Sequence, residues 1–120
     1  MNEKKITGDK GEQLAADFLE ENGYCVICRN FKTRLGEIDI IAENSGYVIF
    51  VEVKTRKSNS FASACEYVGT QKQQRIIKTA AFWLNGHRTS KQPRFDVIEV
   101  YYSNGFDSFK INHICDAFQC

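Results

Sequence analysis

Two nearly continuous apolar runs, Ile38-Asp39-Ile40-Ile41 and Val48-Ile49-Phe50-Val51-Glu52-Val53, each carry an acid, and Lys54 follows the second at once. Between them Glu43-Asn44-Ser45-Gly46 supplies turn residues, so residues 36 to 42 and 47 to 55 are predicted to form an antiparallel hairpin. Side chains alternate along a strand, which puts Glu52 and Lys54 on one face with Val48 and Phe50, and Asp39 with Glu37 and Ile41. The hairpin brings Asp39 alongside Glu52. An unpaired charge amid Ile, Val and Phe costs several kcal/mol, so these acids need compensation. A buried salt-bridge network with Lys54 would supply it, and so would a divalent metal. Three charges are an expensive way to hold a core compared with apolar residues, which favours the metal. Hard carboxylate oxygens suit Mg²⁺ or Mn²⁺, ions that keep several waters and are completed by phosphate oxygens. The implied substrate is a phosphodiester.

With 120 residues and 42% hydrophobic content, the chain can bury one core, and a single domain spanning 1–120 is expected. The net charge of +1 gives no overall positive field that would announce a nucleic-acid partner. Local patches remain: Arg29, Lys32, Arg34, Lys54, Arg56 and Lys57 crowd around the hairpin, and Lys72, Arg75 and Lys78 recur on a later helix. Residues 1–10 are polar, unlike a signal peptide, and no apolar run approaches the roughly 20 residues needed to cross a membrane, so a cytoplasmic protein is expected. In that compartment the five cysteines read as thiols. Cys25 and Cys28 have half the spacing of a zinc site, but an odd offset on a strand sends their sulfurs to opposite faces, and no second such pair follows.

Residues 7–22 place Leu14, Ala15, Phe18 and Leu19 on one helical face, with Gly23 as the residue after the helix. Glu12 lies just ahead of that stripe, either turned inward or solvated as a first-turn acid favoured by the helix dipole. Residues 24–28 are predicted as a first strand and 29–34 as a basic connection into the hairpin. Residues 56–69 read as a loop beside the candidate site. Thr70 and Gln73 fit a capping box that opens a helix ending at Gly86, with Ile76, Ile77, Ala80, Ala81 and Leu84 on its inner face and Phe82 and Trp83 in the core. After Pro93, residues 94–102 and 106–114 are predicted strands joined by the turn Ser103-Asn104-Gly105. His87 is expected as an exposed charge and His113 on an edge strand, neither of them catalytic. The architecture predicted is α/β, a mixed sheet between helices with the hairpin central.

Asp39 with Glu52-Val53-Lys54 resembles the metal-binding core of the restriction-endonuclease-like, PD-(D/E)xK nuclease superfamily, and the element order is similar to its three-layer fold. More narrowly, the chain resembles the YraN family of small bacterial proteins. The likeness rests on Gly8-Asp9-Lys10-Gly11-Glu12, Asn30-Phe31, Arg34 with Gly36-Glu37-Ile38-Asp39-Ile40-Ile41, Phe50-Val51-Glu52-Val53-Lys54-Thr55-Arg56, and Arg94-Phe95-Asp96-Val97. Ile38 stands where the superfamily carries proline, and residues 61–66 lack the family's glycine and proline. The resemblance, which extends to Holliday-junction resolvases, implies a metal-dependent phosphodiesterase acting on nucleic acid, DNA above all. It implies Asp39 and Glu52 as Mg²⁺ or Mn²⁺ ligands, the Val53 carbonyl as a third, and Glu12 as an acid completing the site. Lys54 would orient or deprotonate the attacking water, with Glu37 orienting Arg34 or Lys54. Lys72, Arg75 and Lys78 would contact phosphates while Arg34 and Arg56 flank the cleft. No base-reading motif is present, so action selective for branched, flapped or junction DNA is expected, by a homodimer in analogy with resolvases. The alternative is a non-catalytic nucleic-acid-binding or adaptor protein that retains the fold, and a protein partner that activates the enzyme is a further expectation.

Overall fold

A computed structural model describes residues 3–57, 68–103 and 106–119. Its elements are α1 (Glu3–Glu21), β1 (Cys25–Lys32), β2 (Glu37–Glu43), β3 (Tyr47–Lys57), α2 (Thr70–Gly86), β4 (Gln92–Ser103) and β5 (Ser108–Phe118). The five strands lie in the order β1-β2-β3-β4-β5, with β3 and β4 parallel and every other pair antiparallel. β3 is central and nearly continuously apolar because both of its faces are covered. Ile49 and Val51 meet Ala15 and Leu19 of α1, whereas Val48 and Phe50 meet Ile76 and Trp83 of α2. The three-layer α/β arrangement therefore follows the alternation in the hairpin.

Several boundaries differ from expectation. Residues 29–32 continue β1 instead of forming a basic connection; β1 is an edge strand, where exposed Arg29 and Lys32 are tolerated. The residue capping α2 is Gly69, not Thr70: Gln73 N–H donates to the Gly69 carbonyl, and its side chain to that of Val68, with no side-chain cap. The buried stripe of α2 is Ile76, Thr79, Ala80 and Trp83; Ala81 faces solvent, and Phe82 is 60% exposed, leaning on Phe31. β5 runs on to Phe118 because Asp116, at φ 54°, forms a bulge that returns Phe118 to the ladder opposite Phe95. Of the expected loop, Arg56 and Lys57 end β3 and Val68 and Gly69 lead into α2, while residues 58–67, and 104–105 of the expected turn, lie outside the described residues. Among the described residues no helix is long and apolar enough to cross a membrane.

One irregularity shapes the site. β2 pairs with β3 only from Ile40↔Val51 to Glu43↔Val48, while β1–β2 pairing continues to Lys32↔Glu37 and β3–β4 pairing to Lys57↔Tyr102. The sheet therefore opens below Ile40 and Val51. Side-chain alternation slips at the same point, since Ile40 and Ala42 face α1 but Ile38 joins the α2 side. Asp39 and Glu52 sit at the fork.

α1 crosses β3 so closely that a Cβ at Gly11 would collide with the Thr55 hydroxyl. Gly11→Ala is thus expected to destabilise the fold by roughly 1–3 kcal/mol, the usual cost of overpacking a filled site. Chemical denaturation checks this, and an unchanged midpoint would mean that α1 stands off the sheet.

Candidate active site

At the fork, Asp39 does with its side chain what the ladder no longer does with the backbone. Its Oδ2 accepts the Val53 N–H at 2.8 Å. Burial, then the Glu52 carboxylate beside it, push the Asp39 acid up to about 8, against the Val53 hydrogen bond; Glu12 adds to the rise. Asp39 and Glu52 are thus brought together as the hairpin pattern predicts. A strand residue's N–H and C=O leave from the same edge, so the Val53 carbonyl faces the same opening.

Glu12 enters from α1 and is aimed by β1. Asn30, in the left-handed region at φ 54°, hydrogen-bonds its carboxylate, and Arg29 lies 3.9 Å from Oε1. That Oε1 is buried without a hydrogen-bond partner. Burial raises the Glu12 pKa, opposed by Asn30 and Arg29. Glu12 is therefore turned inward, not solvated. Glu52 is buried too, and the ammonium of Lys72 from α2 lies 2.5 Å from its Oε2. Burial acts against the charged form of Lys72, but Glu52, with help from Asp39 and Glu37, outweighs it and raises the pKa.

These groups line one cleft of about 1050 Å³, together with Lys10, Thr55, Lys57, Tyr102 and Phe106. Three carboxylates, one with a buried oxygen that accepts no hydrogen bond and two that repel each other, fit a hard divalent cation. Their ligand atoms are more widely spread than those of a closed metal cluster. Of the predicted cations, Lys72 reaches the acids, and Lys54 stands half-buried two residues beyond Glu52, opposite Glu99. Arg34 is exposed in the turn before β2, Arg56 is half-buried near the end of β3, and Arg75 and Lys78 are exposed on α2. None of Lys54, Arg34, Arg56, Arg75 or Lys78 lines the cleft. Glu37 pairs with Lys32 at 3.4 Å, not with Arg34 or Lys54.

Asp96 carries a role that no local pattern signals. Its fully buried carboxylate accepts two bonds from Arg94, at 2.9 and 2.8 Å, one from the Asp116 N–H at 2.9 Å, and contacts His113 Nε2 at 2.7 Å. Burial would raise the Asp96 pKa, but His113, Arg94 and Asp116 more than offset it and hold it low. Asp96, His113 and Cys115 are also the one trio of His, Cys, Asp or Glu among the described residues whose ligand atoms all lie within 4.8 Å, a possible metal-binding triad by spacing. A carboxylate offers about four acceptor sites, and these are filled, so Asp96 reads as a knot tying β5 to β4. His113 is accordingly an anchored residue of the edge strand, and His87 stacks on Trp83 at 4.1 Å.

Comparison with known proteins places this arrangement among relatives. The model of the "Uncharacterised protein family UPF0102" matches residues 11–100. A UPF0102 protein of Clostridium beijerinckii is 47% identical over 120 residues, covering 97% of this chain and 98% of that protein. Another, from Caldicellulosiruptor bescii, is 45% identical over 120 residues, covering 98% and 100%. A third, from Caldanaerobacter subterraneus subsp. tengcongensis, is 44% identical over 117 residues, covering 96% of each. The cleft residues Glu12, Asp39 and Glu52 all fall inside the matched region, and the chain belongs to the UPF0102 family, the YraN-like group that its motifs resemble.

Proposed function

We propose that this protein is a divalent-metal-dependent nuclease of the restriction-endonuclease-like superfamily, hydrolysing phosphodiester bonds of branched, flapped or junction DNA. The observation that carries the reading is the placement of Asp39 and Glu52 side by side where β2 and β3 part, with Glu12 in the same cleft. Asp39, Glu52, the Val53 carbonyl and Glu12 would hold Mg²⁺ or Mn²⁺, which supplies charge neutralisation and an activated water. Lys72 has a second task. Its ammonium neutralises Glu52 in the free protein and is within reach of the cleft, so it transfers to a substrate phosphate when Glu52 gains another partner. Lys54 stands outside the cleft lining in the free protein, and would have to turn toward it to orient the attacking water or steady charge on the phosphoryl oxygens. Arg34, Arg56, Arg75 and Lys78 offer backbone contacts around the cleft, and contacts of this kind read shape rather than sequence. A homodimer supplies the two sites that a junction needs, in the cytoplasm.

A panel of branched, flapped, single-stranded and duplex DNA incubated with Mg²⁺ or Mn²⁺ tests this. Wild type is expected to cut a branched member, and Glu52→Gln to lose about 100-fold or more, as loss of a metal ligand exceeds the 10- to 100-fold effect of its supporting partners. If both leave every substrate equally intact, the nuclease reading fails. The Lys72–Glu52 ion pair, which compensates Glu52 with no metal ion, would then favour the adaptor reading.

A further inference from the structure

The cleft has an aromatic end. Tyr102 and Phe106 stack with ring centroids 4.3 Å apart and planes 13° from parallel, and Lys10 Nζ lies over the Phe106 ring at 5.6 Å. Both rings line the same cleft as Asp39 and Glu52. Phe106 packs against the edge of the core beneath α1, yet its backbone is strained. Phe106 adopts φ 77°, in the left-handed region, where a bulky side chain is an outlier. Strain of this kind persists where surrounding structure enforces it, and such positions gather at binding sites. The strained backbone delivers a flat, half-buried ring to the cleft lining, which Lys10 and Lys57 share.

We propose that the Tyr102–Phe106 stack is a platform for an unpaired nucleobase, so that the cleft receives a single strand rather than a duplex. This rests on the nuclease reading for its link to cleavage, but its chemistry stands on the rings themselves. Every base has a π-face, so stacking is tolerant of sequence, in keeping with a sequence that carries no base-reading motif. An exposed lysine contact to a ring is weak, and Lys10 yields the face of Phe106 to a base while its ammonium follows the phosphate. Tyr102 lies five residues along β4 from Val97, the register partner of Glu52, or about 16 Å at 3.3 Å per residue. The stacked base therefore belongs to a nucleotide a few phosphates away from the bond at the carboxylates. The preferred substrate is a branch or flap whose displaced strand runs from the fork to the stack.

The test compares a short fluorescent oligothymidylate with an abasic strand of the same phosphate count, in Ca²⁺, by anisotropy. Wild type is expected to bind the base-bearing strand about tenfold more tightly. Tyr102→Leu and Phe106→Leu keep apolar volume at the stack, and are expected to bind both strands alike, at the abasic level. A purely structural role would weaken both strands together and leave the ratio intact. No preference in wild type, or a preference that survives in both variants, overturns the platform. Wild type that cuts branched DNA without base preference overturns the platform and leaves the nuclease reading standing. Base preference with no cleavage of any substrate does the reverse.

Discussion

Asp39→Asn is expected to abolish most of the loss of stability that the metal-free wild type undergoes between about pH 4 and pH 8. The folded Asp39 acid releases its proton near 8, the unfolded one near 3.8. Below the lower value both states are protonated, and the stability contribution is fully present. Between the two values only the unfolded chain has ionised, so each pH unit favours unfolding by up to about 1.4 kcal/mol, and the decline ends as pH passes 8. Over this window the loss amounts to several kcal/mol, and Glu12, raised in the same direction, adds to it. The amide introduced by Asp39→Asn does not titrate, yet its oxygen can still accept the Val53 N–H, so the variant should be the more stable protein at pH 8 by roughly 3 kcal/mol. Denaturant titrations at pH 4.5, 6, 7.5 and 8.5 in EDTA measure the slope. A wild-type stability that stays level across that range would show that burial and Glu52 do not press on Asp39 as the geometry requires.

The same two carboxylates show what a chain displays locally and what it withholds. The hairpin is legible because strand alternation and the Glu43-Asn44-Ser45-Gly46 turn are properties of neighbouring residues, and Ile40↔Val51 pairs as they demand. That the ladder stops there is not legible. It depends on β2 staying with β1 while β3 stays with β4, and the second of these pairings joins residues about 45 apart in sequence. Glu12 is ambiguous for a related reason: α1 alone offers either a dipole or a site, and Asn30 and Arg29, on a strand whose basic residues suggest a connection, decide it. Sequence marks Lys72 as a phosphate contact, but periodicity on α2 does not reveal that it lies against Glu52. On the same helix a rotation of the buried stripe puts Trp83 inside and Phe82 outside, because Thr79 with its hydroxyl bonded to the Arg75 carbonyl is as buried as any aliphatic there.

Asp96→Ala is expected to cost about 3–5 kcal/mol, a large share of the roughly 5–15 kcal/mol that holds a typical domain, and to lower the melting midpoint sharply. Truncation removes one charge and strands its partners: Arg94, whose side chain is 13% exposed, loses two bonds, and Asp116 and His113 lose one contact each. Arg94 keeps Tyr24 Oη at 2.9 Å and the Tyr47 ring at 4.8 Å, too little to hold a guanidinium away from water. The double variant Arg94→Met/Asp96→Leu should therefore be more stable than Asp96→Ala alone, since no buried charge is left unpaired. Thermal melts of the three proteins decide between a knot and a metal site at the same residues. If the knot is what Asp96 builds, added Zn²⁺ leaves the wild-type midpoint where it was, because a cation at Oδ2 would have to displace Arg94 or His113. A Zn²⁺-dependent rise that disappears in Cys115→Ser would instead make Asp96, His113 and Cys115 ligands, and β5 would be held to the sheet by an ion.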